Sequence, residues 1–86
     1  MPHFTKLTLE ANKTLALFDA VLKEIKLHKI TKEHALQQIS LFDEWFFDTL
    51  NKIPQYLRAQ MDKIHRAWEA RKEMGYRACK VAYKFG

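Results

Sequence analysis

Residues 41–50 read LFDEWFFDTL, four large aromatics and three acids in ten positions. Placed on a helix, Phe42, Phe46 and Leu50 continue a stripe with Ala35, Ile39 and Ile53, at the three- and four-residue spacing that turns one face to a core. Leu41 falls one turn before Trp45 and almost opposite that face, so these two make a second apolar patch, bounded by Glu44 and Asp48. Phe47 lies to the other side, where a neighbouring helix is expected to absorb it. A paired apolar patch on the back of a helix marks a surface for another chain.

On the N-terminal side, Thr31 is placed to cap this helix, Glu33 falls in its first turn, and Ile30 can pack back on Ala35 or Leu36. Before it, Ala11, Leu15, Phe18, Leu22 and Ile25 form a stripe widened by Leu17 and Val21. This predicts a first helix from near Leu9, capped by Thr5 or Thr8, to about Lys29. On the C-terminal side, Pro54 disfavours helical geometry at Ile53 and suits the first turn of a new helix. A third helix is expected from there, with Leu57, Met61, Ile64 and Trp68 as its stripe. Arg58, Asp62 and Arg66, and likewise Glu73 and Arg77, stand at ion-pair spacing on its outer face.

The chain of 86 residues is expected to be a single domain, residues 1–86, with only two Gly and two Pro to interrupt helices. Its frequent residues are good helix formers. Both joints are short, which favours antiparallel neighbours. The expected fold is all-α: an antiparallel up-down-up bundle of three long helices, the third continuing or bending at Gly75 into a C-terminal amphipathic segment. Laid antiparallel about the second joint, Leu57 would stand level with Asp48, Ile64 with Leu41, and Arg71 with about His34. Residues 74–86 would then overhang by ~20 Å.

That segment, MGYRACKVAYKFG, carries three basic residues and no acid. Ala78, Val81, Ala82 and Phe85 share one face; Arg77, Lys80 and Lys84 share the other, flanked by Tyr76 and Tyr83. The net charge of +5 is polarised: residues 53–86 carry eight Lys or Arg against three acids, residues 31–52 two Lys against four acids. Basic groups mixed with aromatics suit phosphates and bases. Nucleic-acid contact is therefore expected through Arg66, Arg71, Arg77, Lys80, Lys84, Tyr76 and Tyr83. The alternative is a protein-binding adaptor or inhibitor acting through Leu41, Trp45, Val81 and Phe85. Arg71 falls in the third helix's apolar stripe, so it is expected to reach water at the open end of the bundle, or else to pair with Glu33 or an acid of another subunit.

No enzyme activity, metal or cofactor is expected. Asp62, His65 and Glu69 share helical spacing, but a bundle metal site needs a second acid-x-x-His pair, and none exists. Asp43, Glu44 and Asp48 would need a cleft to act as acids or bases. Cys79, the single cysteine, is expected to be an apolar packer in a cytoplasmic protein. No run approaches the ~18 apolar residues of a membrane span, and a membrane partner is not expected. The short core favours completion by a homo-oligomer or a larger protein partner. No small-molecule substrate is inferred.

Overall fold

A computed structural model describes residues 2–84, with residues 2–5 and 60 described by backbone alone. Three α-helices pack against one another: α1 (Pro2–Lys26), α2 (Lys32–Asn51) and α3 (Arg58–Ala82), with no strand among the described residues. They form a rod of 48 × 17 × 16 Å.

The helix ends follow local chemistry. α2 starts as its sequence implies: Thr31 is extended (φ −76°, ψ 161°) and its side chain accepts a bond of 3.1 Å from the His34 amide. α1 departs at both ends. It begins at Pro2, a residue suited to a first turn. The early start gives residues 7 and 8 work to do: Leu7 packs on the core, and the Thr8 hydroxyl meets Met61 Sδ at 3.9 Å. Thr8 therefore lies inside the helix rather than capping it. α1 ends at Lys26, short of Lys29. His28 takes a left-handed conformation (φ 57°), its amide bonds the Ile25 carbonyl and the Lys29 amide bonds the Glu24 carbonyl. This crossed pair is a Schellman closure.

The second joint is longer than Pro54 alone suggests. Ile53 is buried, Pro54 is extended, and a 3-10 turn (Gln55–Leu57) precedes α3, so Pro54 does not begin the α-helix. α3 then runs without interruption through Gly75.

The core is centred on Trp68, 1% exposed. Phe46 stacks on it (4.9 Å, 15°), and Phe18 meets it edge-on (4.8 Å, 81°). Phe42 lies at 5.1 Å from Phe18, again edge-on. Such pairs contribute about 0.5–1.5 kcal/mol each beyond the area they bury. The buried line of α3 continues from Trp68 to Gly75 and Cys79. Two charged residues straddle it. Counting ~100° per residue, Arg71 and Lys72 lie to opposite sides of the line. Arg71 Nε meets Asp19 Oδ1 of α1 at 2.9 Å, and Lys72 Nζ meets Asp43 Oδ1 of α2 at 3.1 Å. Arg71 is thus a mid-bundle ion pair, and neither open-end exposure nor Glu33 accounts for it.

The register differs from the antiparallel lay above. By that lay Ile39 would stand near Arg66; instead Ile39 lies against Gly75, and Phe46 against Trp68. The joint and the 3-10 turn at Gln55–Leu57 take up chain that periodicity alone assigns to the third helix. The C-terminal part of α3 therefore has neighbours. Gly75 and Cys79 are buried, Ala78, Ala82 and Tyr83 pack on the core, and the Tyr83 hydroxyl donates to the Ile30 carbonyl at 2.7 Å. Residues 74–84 do not form a free overhang.

Candidate nucleic-acid interface

The Schellman turn that closes α1 folds residues 28–30 against the end of α3. His28 is held there in a left-handed conformation, which costs an L-residue roughly 1–2 kcal/mol. Its ring meets Tyr83 edge-on at 6.2 Å, and Tyr83 is bonded to Ile30. Burial first, and then the electrostatic influence of Cys79 (where its thiol is ionised) and of the Glu33 carboxylate, pushes the Tyr83 phenol above its ordinary value, so it stays a donor. Tyr83 is thereby a clasp between loop and helix, with its hydroxyl already committed.

Beside the clasp lies a shallow groove of about 320 Å³. Met74, Ala78 and Val81 line it, with Lys26 and His28 from the α1 end and Arg77 from α3. Lys80 extends the basic surface along α3, Lys84 lies just past its end, and Lys32 acts electrostatically on Cys79 from the start of α2. Lys23 and Lys26 also lie in the last turn of α1, and Lys80 in that of α3, where cations favourably oppose the helix dipole. Arg77 is exposed and bonded to Glu73 at 2.7 Å. Tyr76 is exposed on the same part of α3.

The seven residues expected to touch nucleic acid are thus distributed unevenly. Arg77, Lys80, Lys84 and Tyr76 share the basic end. Tyr83 clasps the loop. Arg71 is tied to Asp19 by two bonds, 2.9 and 3.3 Å, and Arg66 pairs with Asp62 farther down α3. Lys26 and His28 join the end although neither is among the residues expected to touch nucleic acid; no local pattern places the close of the first helix beside the last turns of the third.

The outer surface of α2 is also redrawn. Leu41 is half exposed, but Trp45 packs against the core with its ring edge-on to Phe46 at 5.0 Å. Phe47, expected to be absorbed, is 67% exposed. It stands at the lip of a second concavity of about 340 Å³ between α2 and α3, floored by Phe46, Met61 and Trp68. On one rim the Trp68 indole N–H donates to Asp43 Oδ1 at 2.8 Å. That bond holds the Asp43 carboxyl below its ordinary value against the opposing push of burial, with help from Lys72. For Lys72, burial works to discharge the amine, but Asp43 and then Glu69 outweigh it and raise its value. Val81 is 78% exposed, and Phe85 lies outside the described residues.

Cys79 is buried, and burial raises its thiol above the ordinary value, an environment for packing rather than for a thiolate. Among the described residues no three His, Cys, Asp or Glu side chains are grouped to hold a metal ion, and no helix is long and apolar enough to cross a membrane. The chain matches no protein-family model, no curated protein and no solved structure.

Proposed function

We propose that this chain is a small, non-catalytic accessory protein that contacts the phosphate backbone of nucleic acid through its basic end. One observation carries the reading: Lys26 and His28 stand across a groove from Arg77, with Lys80 and Lys84 continuing the same surface. Cations from separate elements gathered at one end neutralise neighbouring phosphates more effectively than the same charges spread along a rod. Tyr76, exposed among them, is the aromatic available to stack on a base. Tyr83 supports the surface from beneath.

The bundle is read as up-down-up. Residue numbers rise together where α1 meets α3 (Thr8 with Met61, Asp19 with Arg71, Ile30 with Tyr83) and run oppositely where α2 meets α3 (Phe46 with Trp68, Ile39 with Gly75). That arrangement would place the first joint at the basic end. A lone cysteine suits a reducing, cytoplasmic setting.

The test is binding to a short single strand and to a short DNA duplex across a range of salt. Duplex affinity falls with salt at about 0.9 log units per neutralised phosphate. Replacing Arg77, Lys80 and Lys84 together by Ala should leave helicity unchanged and flatten the slope by about 3 units. No binding at low ionic strength, or an unchanged slope, refutes the reading. A second reading, contact with another protein chain, is favoured by the exposed Phe47 and Leu41 on α2.

A further inference from the structure

Two surfaces of this molecule match one another and cannot meet within one chain. The first is the groove between α2 and α3 with Phe47 at its lip. The α2 stretch beside it, residues 43–51 (DEWFFDTLN), holds three acids and no base, and it finishes at the negative end of the helix dipole. The acids that line the groove itself, Asp43, Asp62 and Glu69, already meet Lys72, Arg66 and Lys72 of their own chain, so the acids a partner would meet are Glu44 and Asp48 on the adjoining outer face of α2. The second surface is the end of α3. Residues 74–84 carry three bases and no acid. Arg77, one turn before Val81 and shared with Glu73, and Lys80 lie along one side of it on α3, and Lys84 follows just past the helix end. Val81, 78% exposed, is the most exposed of the large hydrophobic side chains described. Along α3 this residue lies ~30 Å from Met61 on the groove floor, at ~1.5 Å per residue, so no chain can fill its own groove.

We infer that the basic end of α3 docks in the α2/α3 groove of a second copy, Val81 against Phe47, with Arg77 and Lys80 facing the acids of α2. The complementarity is in both terms: an exposed apolar knob with cations along one side, and an exposed aromatic with Glu44 and Asp48 beside it on the outer face of α2. Docking leaves one free groove and one free end on every pair, so assembly runs head to tail and grows unless a ring closes. The contact is a short helix end on a groove, below the ~1,200 Å² of a standard stable interface, so association is weak and weakened further by salt. The inference goes beyond nucleic-acid contact and does not rest on it. The basic end serves both partners, so a polyanion competes with assembly.

The test uses two half-blocked proteins in nucleic-acid-free, low-salt solution. Phe47→Lys closes the groove, and Val81→Asp closes the end; both positions are exposed, and circular dichroism checks that each variant folds. By sedimentation equilibrium the wild-type mass should rise with concentration. Each variant alone should remain at its monomer mass, near the 10.3 kDa of the wild-type chain. Mixed, the intact end of one fits the intact groove of the other, and the mixture should stop at a one-to-one dimer. If Val81→Asp lowers helicity, Lys80→Glu takes its place. The inference is overturned by a wild-type protein that stays monomeric at every concentration. It is equally overturned by single variants that still assemble, or by a mixture that forms no dimer. Because no nucleic acid is present, the outcome is independent of the salt titration on DNA.

Discussion

Gly75→Ala decides how closely the helices approach at the middle of α3. Two effects of opposite sign compete. In a helix interior, Ala is favoured over Gly by about 1 kcal/mol, so an unpacked site would gain that much. Here an added Cβ would lie 3.0 Å from Phe18 Cζ and 3.2 Å from Ile39 Cδ1. Optimal carbon contacts are ~3.5–4.0 Å, so neighbours must retreat by roughly half an ångström. The Ile39 methyl can rotate away. The Phe18 ring cannot easily move: it is fully buried and held edge-on between Phe42 and Trp68, at 5.1 and 4.8 Å. Overpacking of this kind costs about 1–3 kcal/mol. With a cost near 2 and a gain near 1, Gly75→Ala should destabilise the protein by about 1 kcal/mol and lower Tm by about 4–8 °C. Urea unfolding followed by far-UV circular dichroism measures it. Phe18→Leu supplies the control, because it removes the obstructing ring. In that background Gly75→Ala should stabilise by about 1 kcal/mol, a coupling of about 2. A stabilising Gly75→Ala in the wild-type protein, or a coupling near zero, would refute the packing of α1 and α2 on α3 at this residue.

His28→Gly should raise stability by up to about 1 kcal/mol in thermal melts, because relief of left-handed strain outweighs a long edge contact with Tyr83. Tyr83→Phe should cost about 1 kcal/mol through its lost bond to Ile30. The folded phenol titrates above 10.0, so its contribution is complete below pH ~10 and disappears as pH rises through the folded value; the variant should lack that alkaline decline in urea midpoints. Asp43 has the opposite sign. Its folded carboxyl titrates below 3.8, so its contribution is present above that pH and is lost as pH falls through the folded value. Asp43→Asn should be less stable near neutrality, and its deficit should shrink in acid, where the two urea-midpoint curves converge.

The sequence went far with the fold and less far with the surfaces. Periodicity named nearly all of the core: Phe18, Ile39, Phe46, Met61 and Trp68 were each on a predicted stripe and are buried. Capping chemistry placed the start of α2 at Thr31. The misses share one cause. Phe47 and Trp45 lie to the side of a stripe, and Arg71, which periodicity puts within one, lies at its edge; such a residue is buried, paired or exposed according to which helix stands next to it and at what height. Asp19 was unremarkable until α1 was set beside α3. Phe47 and Trp45 flank α2's buried face on opposite sides, and their fates are the reverse of those expected because Trp45 reaches the core while Phe47 is left at the rim of a groove.

By itself, then, the sequence determined that the chain is helical, which face of each helix turns inward, and that positive charge gathers in its last third. These are local properties, set by side-chain periodicity, capping and composition over a few turns. Only the tertiary structure decided the level at which the helices meet, since relative height depends on how much chain the joints consume and on which ring fills which gap. That one variable turned residues 74–84 from an overhang into a packed end. It set Lys26 and His28 beside Arg77. It also left the aromatic stretch at residues 41–50 facing outward through Leu41 and Phe47, with Trp45 drawn in against the core.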